Sequence, residues 1–359
     1  MSSMRKDGKA RFLLTLMVLL GWGLLVIPFF LTPPAFLDLA LRDTVFSSDL
    51  SGQSVQITDG ASGHTLTAAA QKEGGDFLAR VGRIDSGEAR SFIVAVEGYR
   101  SVPLTLNASA LQHVRAVVDL VPTFGRLEVS TVSATHADNP IPALLKRNGV
   151  TVSSRPLSTF VLALPAGSHR FSAEATGFCA EERDVNIEAG KLARLKLPLS
   201  PDLTGDEIAR FVLGWGPNPR DLDAHFRKLG TSGYPNPEHV FFHRMEGDSG
   251  GGIFARLDVD YRNSEGYETI TVYNKAAGMY EYYVARYAGE GTLGSSGAQV
   301  TAFTHGCQRK QLSVPVDCTD DVWNVFHVQV DNGRVALIEI QQCEKGMPLH
   351  AGGKTPIAD

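Results

Sequence analysis

The segment DLDAHF at residues 221–226 alternates strictly between polar and apolar side chains. Successive side chains of a β-strand point to opposite faces of a sheet. The segment therefore predicts a half-buried strand. Its apolar face would hold Leu222, Ala224 and Phe226, and its polar face Asp221, Asp223 and His225.

The same alternation recurs along the chain in short runs separated by turn-forming residues. The 359 residues include 36 glycines and 18 prolines, and both types favour tight turns. Short alternating runs between turns are typical of β-sandwiches. We therefore predict an all-β chain of tandem β-sandwich modules. The runs that carry this prediction lie at residues 92–99, 192–199, 267–272, 280–285, 298–303 and 322–328.

The N-terminal region contains an uncharged apolar run at residues 12–31. Twenty residues of helix span about 30 Å, the hydrocarbon thickness of a bilayer. Basic residues precede the run, and the first acid after it is Asp38. The positive-inside rule then predicts a cytoplasmic tail at 1–11, a transmembrane signal anchor at 12–32, and the remainder in the periplasm of a bacterial inner-membrane protein. A cleaved signal peptide and a soluble core helix are the alternatives.

Two stretches in the middle of the chain resemble each other. Gly98-Tyr99 and Gly177-Phe178 are each followed, 22 residues after the glycine, by a closing leucine. This repeat predicts tandem modules at 43–121 and 122–200. The second copy also contains Asn-Gly at 148–149 and LPAGSHRF at 164–171, and it resembles PEGA and carboxypeptidase-regulatory-like modules. The first copy lacks a clear LPAG turn. The resemblance implies small β-sandwiches that act as spacers or interaction units without catalytic residues.

The C-terminal part of the chain contains a series of short motifs. They are Trp215, the DLDAH stretch at 221–225, HVFF at 239–242, LDVD at 257–260, GYETI at 266–270, YEYYVARY at 280–287, SGAQV at 296–300 and WNVF at 323–326. In this order they resemble the C-terminal domain of YfaP-like bacterial surface proteins. The Gly-Pro that precedes Glu in the family is absent at Gly266-Tyr267. The resemblance implies a third, larger β-sandwich at residues 203–345, and we expect a disordered tail at 346–359.

Acidic residues cluster on the predicted strand faces of this C-terminal module. Like charges two residues apart on one strand face repel each other, so a counter-cation is a reasonable expectation. Carboxylates suit Ca²⁺, whereas His225 or His239 would favour Zn²⁺. A solvated polar face is the structural alternative, because the spacing does not match an EF-hand loop. The predicted metal ligands are Asp221, Asp223, His225, Asp258 and Asp260.

The four cysteines contain no CxxC pair, which argues against a zinc knuckle. In an exported chain, Cys307, Cys318 and Cys343 are disulfide candidates. Joining Cys307 to Cys318 would close a short loop and stabilise the fold by about 2–3 kcal/mol. Cys343 competes for either partner, and Cys179 is expected to be a free thiol.

The net charge of −5 and the absence of a basic stretch argue against nucleic-acid binding. The features together predict a non-catalytic, membrane-anchored envelope protein whose binding module engages an envelope protein or a cell-wall glycan. It requires no cofactor other than a candidate Ca²⁺. The alternative is a metal-dependent envelope hydrolase that uses the acidic cluster.

Overall fold

A computed structural model describes residues 14–20, 23–29, 33–231, 236–248, 251–275 and 277–345 of the chain. Over these residues the protein is built of strands, with one 3-10 turn at His305–Cys307. The described part contains no α-helix. The prediction of an all-β chain is therefore confirmed.

The described residues of the N-terminal apolar run, 14–20 and 23–29, form strands and not part of the predicted helix over residues 12–32. Strands β1 (Leu14–Leu20) and β2 (Gly23–Phe29) pair antiparallel instead, with Leu20 opposite Gly23. Glycine and proline interrupt the run, and both are poor residues for a helix interior. Nowhere in the described ranges is there a helix of the length and apolarity needed to cross a bilayer. The predicted tails at 1–11 and 346–359 lie outside the described residues.

The chain divides into two compact units, one ending at Phe124 and the other beginning at Gly125. The first unit contains a seven-stranded sheet of order β8-β7-β4-β5-β6-β3-β9. Its core is mostly aliphatic and includes Leu39, Val55 and Val94 beside Phe92. Its strands are β3 (Ala35–Asp43), β4 (Ser54–Asp59), β5 (Thr65–Glu73), β6 (Asp76–Ile84), β7 (Gly87–Val96), β8 (Val102–Ala108) and β9 (His113–Leu120).

The second unit begins with a small sandwich of two four-stranded sheets. Their orders are β13-β10-β17-β15 and β12-β11-β14-β16. Leu127, Leu145 and Phe171 lie in the core between them. The strands are β10 (Phe124–Ser133), β11 (Leu144–Arg147), β12 (Val150–Thr151), β13 (Thr159–Pro165), β14 (Gly167–Glu174), β15 (Phe178–Cys179), β16 (Glu181–Ile187) and β17 (Leu192–Pro201).

The repeat seen in the sequence has a structural counterpart. In each copy the first strand pairs parallel with the last, β3 with β9 and β10 with β17. The matching glycines adopt the same left-handed backbone, with φ of 81° at Gly98 and 80° at Gly177. Only glycine enters this region without a steric cost. The closing leucines, Leu120 and Leu199, are both fully buried.

The larger sandwich follows, with a six-stranded sheet of order β21-β22-β23-β18-β25-β26 facing a five-stranded sheet of order β20-β19-β24-β27-β28. Phe211, Phe226, Tyr282 and Trp323 are among the aromatic residues of its core. The strands are β18 (Glu207–Gly214), β19 (Asp221–Lys228), β20 (His239–Val240), β21 (Glu246–Asp248), β22 (Ile253–Val259), β23 (Tyr267–Tyr273), β24 (Gly278–Ala288), β25 (Gln299–Thr304), β26 (Gln308–Ser313), β27 (Val322–Asp331) and β28 (Arg334–Glu344).

All four cysteines form disulfides, Cys179 with Cys307 and Cys318 with Cys343. The expected pairing of Cys307 with Cys318 and the expected free thiol at Cys179 are therefore wrong. Cys179 lies on β15 of the small sandwich, and Cys307 ends the 3-10 turn of the large one. The first disulfide thus joins the two sandwiches of the second unit. The spacing of the cysteines along the chain does not reveal how these modules pack.

A buried ion pair lies where the two sandwiches of the second unit pack together. Arg183 Nε donates to Glu181 Oε1 at 2.9 Å, and Thr301 of the large sandwich donates to the same oxygen at 3.3 Å. Glu181 is fully buried, and this burial raises its pKa despite the nearby guanidinium. The guanidinium lies against Gly214, where an added Cβ would overlap Arg183 Nη1.

Replacing Gly214 with alanine should displace Arg183 and destabilise the second unit. Removing one partner from a buried ion pair typically costs about 3–5 kcal/mol, because the other charge is left without compensation. We expect Gly214→Ala to lower the free energy of unfolding in urea by roughly 2 kcal/mol or more. Gly251→Ala is the matched control, since no described residue lies within 4 Å of its added Cβ. Equal stability of the two variants would contradict this account.

Candidate functional site

The candidate site lies along the open edge of β19. Strand β24 pairs with the whole length of β19 on one side. On the other side β20 pairs only with Phe226 and Arg227. Among the described residues, no strand pairs with the backbone before Phe226 at this edge. Glu268 of the opposite sheet fills part of the gap, because its Oε2 accepts a hydrogen bond from Ala224 N at 2.6 Å.

Four carboxylates come together at this edge. Asp221 and Asp223 lie on β19, Glu268 on β23, and Asp260 directly after β22. Asp221 and Asp223 are each 3% exposed and Glu268 is fully buried. Asp260 is paired with Arg262, whose Nη2 lies 2.7 Å from its Oδ2. We call these four side chains the carboxylate cluster.

Three oxygens of the carboxylate cluster are buried without a hydrogen-bond partner among the described residues. They belong to three different side chains: Asp221 Oδ1, Asp223 Oδ2 and Glu268 Oε1. A buried polar atom that accepts no hydrogen bond is costly, and a buried charge is more so. Protons or a cation would provide partners for these oxygens in the folded protein.

The acid–base properties of the cluster reflect this burial. Desolvation first, and then the charge of Asp260, raises the pKa of Asp221 to about 6. Desolvation together with Asp221 and Asp260 raises the pKa of Asp223 to about 8. Burial and the neighbouring Asp223 hold the pKa of Glu268 well above its ordinary value. The metal-free cluster is thus partly protonated at neutral pH.

Asp258, predicted as a metal ligand, does not belong to the carboxylate cluster. It accepts a hydrogen bond from Thr271 Oγ1 at 2.5 Å. Burial raises its pKa, whereas the charges of Arg210 and Arg256 act to lower it. The pairing of β22 with β23 is irregular between Leu257 and Val259, at the position of Asp258. Asp260 lies after the strand has ended. The expectation that Asp258 and Asp260 share one strand face is therefore wrong.

His225 is also separated from the expected ligand set. Its Nδ1 lies 2.9 Å from His239 Nε2, and Tyr283 Oη lies 3.2 Å from the same His239 atom. The ring of His225 stacks on Tyr283 with centroids 4.5 Å apart. Burial lowers the pKa of His225 well below its ordinary value and that of His239 to about 3. Both imidazoles are therefore neutral and held by each other at neutral pH.

Glu268 is the site residue that the sequence prediction missed. A signal for it exists, because Glu268 shares the alternating face of β23 with Ile270 and Val272, which lie in the core. A charged residue at a core-facing strand position is rare unless it has a partner or a function. This position could have been singled out beside Asp221 and Asp223.

A groove of about 550 Å³ lies between the two sandwiches of the second unit, next to the cluster segments. Its small-sandwich wall carries Lys191 and Arg194, and its large-sandwich wall is formed by the segments 215–218, 265–266 and 295–297 together with Gln299. The first two of these segments are hydrogen-bonded to each other, Trp215 N to Gly266 O at 3.1 Å and Glu265 N to Gly216 O at 2.9 Å. The groove thus offers charged and polar groups on a surface framed by both modules.

No family model matches the chain, and no curated protein matches it either. The resemblances to PEGA-like and YfaP-like modules therefore stay predictions. Several solved structures are similar in part. The Bacillus anthracis TIE protein is 12% identical with a TM-score of 0.25, over 78% of this chain and 48% of that one.

Two further solved structures are similar at the same low level. The shaft pilin SpaA of Lactobacillus rhamnosus GG is 13% identical with a TM-score of 0.30, over 48% of this chain and 99% of its own. A putative carbohydrate binding protein of Bacteroides uniformis is 9% identical with a TM-score of 0.20, over 86% of this chain and 100% of its own. These scores assign no function to the chain.

The raised carboxyl pKa values predict that the metal-free protein loses stability as the pH rises from 7 to 8.5. In the folded protein Asp223 keeps its proton up to about pH 8, whereas in the unfolded chain it releases the proton near its ordinary pKa of 3.8. The stabilisation that results is therefore complete below pH 3.8 and is lost as the pH rises through about 8. The neutral histidines have the opposite effect on the free energy of unfolding, since they make it rise with pH, but only below about pH 6.5. We expect a loss of about 1 kcal/mol in urea unfolding with EDTA.

Asp223→Asn should flatten this pH profile, because an amide carries no proton to release. Unfolding curves at pH 7.0 and 8.5 for both proteins give the comparison. A wild-type protein that gains stability over this interval would contradict the assignment.

Proposed function

We propose that the chain is a non-catalytic, exported protein of the bacterial cell envelope, anchored in the inner membrane, whose C-terminal modules bind a protein or a cell-wall glycan. The main support for an exported location is the pairing of all four cysteines in disulfides. Disulfides form and persist in oxidising compartments, and they are rare in a reducing cytosol. The apolar run at residues 12–31, behind its basic flank, supports anchoring in a membrane.

The burial of the carboxylate cluster favours binding over hydrolysis. A metal-dependent hydrolase needs an open coordination position where substrate and water meet the ion. Asp221, Asp223 and Glu268 are at most 3% exposed, so a substrate has no direct approach to them. The hydrolase alternative is thus less well supported than a binding module whose cation has a structural role.

The groove between the two sandwiches is the surface that we propose for ligand binding. Ligand sites of proteins commonly have volumes of about 300–1,000 Å³ and lie between domains. Lys191 and Arg194 on one wall and Asn218 and Gln299 on the other provide donors and acceptors. Such a mixture suits the hydroxyl and carboxylate groups of a glycan or the backbone of a peptide.

Thiol labelling tests the exported state. We expect the native chain, denatured without reductant, to react with no maleimide, since no cysteine is free. Cys179→Ser should expose one thiol, at Cys307, and Cys179→Ser/Cys307→Ser should expose none. Cys318→Ser/Cys343→Ser is the matched control for the second bond. A chain that takes up four labels and fractionates with the cytosol would overturn the proposal.

Crosslinking of the full-length chain in isolated envelopes tests the groove. We expect Lys191→Glu/Arg194→Glu to reduce the yield of crosslinked partner at least several-fold, because the substitution reverses two charges on one wall. Arg334→Glu, which does not line the groove, is the control and should keep the wild-type yield. Equal yields from both variants would place the binding surface elsewhere.

A further inference from the structure

We propose that the carboxylate cluster binds one calcium ion, with Asp221, Asp223, Asp260 and Glu268 as its side-chain ligands. This inference deepens the proposed function, because it names the ion and the ligands on which binding would depend. The inference rests on the proposed function only where it links calcium to ligand binding. The site itself follows from the geometry of the β19 edge.

Three segments of the large sandwich converge at this place. Asp221 and Asp223 lie where β19 pairs with no described strand on its open side. Glu268 reaches the same edge from the other sheet and accepts from Ala224 N. Asp260 follows the end of β22 and acts electrostatically on Asp221, Asp223 and Glu268. The carboxylates thus meet across the boundary between the two sheets.

The charge at the cluster is not balanced by the side chains that face it. Arg262 pairs with Asp260, and Arg220 acts on Asp221, whereas four carboxylates share the site. Asp221, Asp223 and Glu268 each keep one buried oxygen without a partner among the described residues. Leaving such groups buried without compensation is strongly destabilising. A divalent cation would both neutralise the excess charge and provide a partner for these oxygens.

The donor set favours calcium over magnesium and zinc. Calcium takes six to eight oxygen ligands in irregular geometry, whereas magnesium demands a near-ideal octahedron. Zinc prefers nitrogen and sulfur, but His225 and His239 are held by each other. Within the described ranges, Cys179, Asp202 and Cys307 alone bring three ligand atoms within 4.8 Å of one another, and both of those sulfurs belong to a disulfide. The oxygens of the carboxylate cluster do not lie this close together. The proposal therefore requires these side chains to draw closer around the ion, and of the three metals calcium has the most variable coordination.

A bound ion would act on the groove through the chain segments that carry its ligands. Asp221 directly follows the segment 215–220, and Asp260 begins the loop that ends at Gly266. Both segments contribute to one wall of the groove and are hydrogen-bonded to each other. Calcium would tie their ends together, so ligand binding in the groove should depend on it.

Calcium titration of the purified full-length chain after EDTA treatment tests the site. We expect one calcium ion to bind by isothermal titration calorimetry, together with a rise of several degrees in melting temperature. Asp223→Asn should weaken binding at least ten-fold. Asp258→Asn is the matched control, since its carboxylate lies outside the cluster, and it should bind as the wild type does.

A second measurement separates ligand loss from misfolding. Without calcium, Asp223→Asn should be at least as resistant to urea as the wild type at pH 8.5, because the amide removes repulsion within the cluster. A merely structural carboxylate would instead lose stability on this change. The site is overturned if the wild type binds no calcium, if Asp258→Asn loses binding as Asp223→Asn does, or if zinc binds through His225 instead.

The link to ligand binding has a separate readout. We expect EDTA to reduce crosslinking in envelopes and calcium to restore it. Calcium binding without any effect of EDTA on crosslinking would overturn the link to the groove. Loss of the exported state in the thiol-labelling test would defeat the proposed function while leaving the calorimetric result unchanged.

Discussion

The buried pair of Glu181 and Arg183 determines how the two sandwiches of the second unit meet. Glu181 accepts from Thr301 of the large sandwich, and Arg183 lies in the space left by the missing side chain of Gly214. Neither charge reaches solvent, so neither can leave its partner without a large cost. This constraint acts together with the disulfide between Cys179 and Cys307 to hold the two sandwiches in the placement that forms the groove.

The carboxylate cluster shows the opposite electrostatic situation. At the module interface one acid has one base, whereas at the β19 edge several acids share few bases. The acid at the interface is compensated by its paired base, whereas the acids at the edge are compensated in part by protons. Evolution commonly retains such unfavourable charge where a function requires it, and raised carboxyl pKa values are a frequent mark of such sites.

Much of the fold could be predicted from side-chain alternation, because a period of two matches a strand with one buried face and does not match the 3.6-residue period of a helix. The repeat was visible in Gly98 and Gly177, whose left-handed backbones only glycine adopts without cost. The site was predictable only in part. Asp221 and Asp223 lie together as the alternation implied, but an irregularity in β22 removes Asp258 from the set. The disulfide partners depend on module packing, a long-range property that cysteine spacing does not encode.

The disulfides also define how the second unit would carry a mechanical load. When tension is applied between Gly125 and Glu344, the force passes through the disulfide from Cys179 to Cys307. It then passes along the short segment to Cys318 and through the second disulfide to Cys343. The chain between Cys179 and Cys307 then carries no force, although it spans 128 positions. β19, Glu268 and the groove segments of the large sandwich all lie in this shielded stretch. A pull on the polypeptide would therefore reach its ends without stretching the backbone that holds the carboxylates.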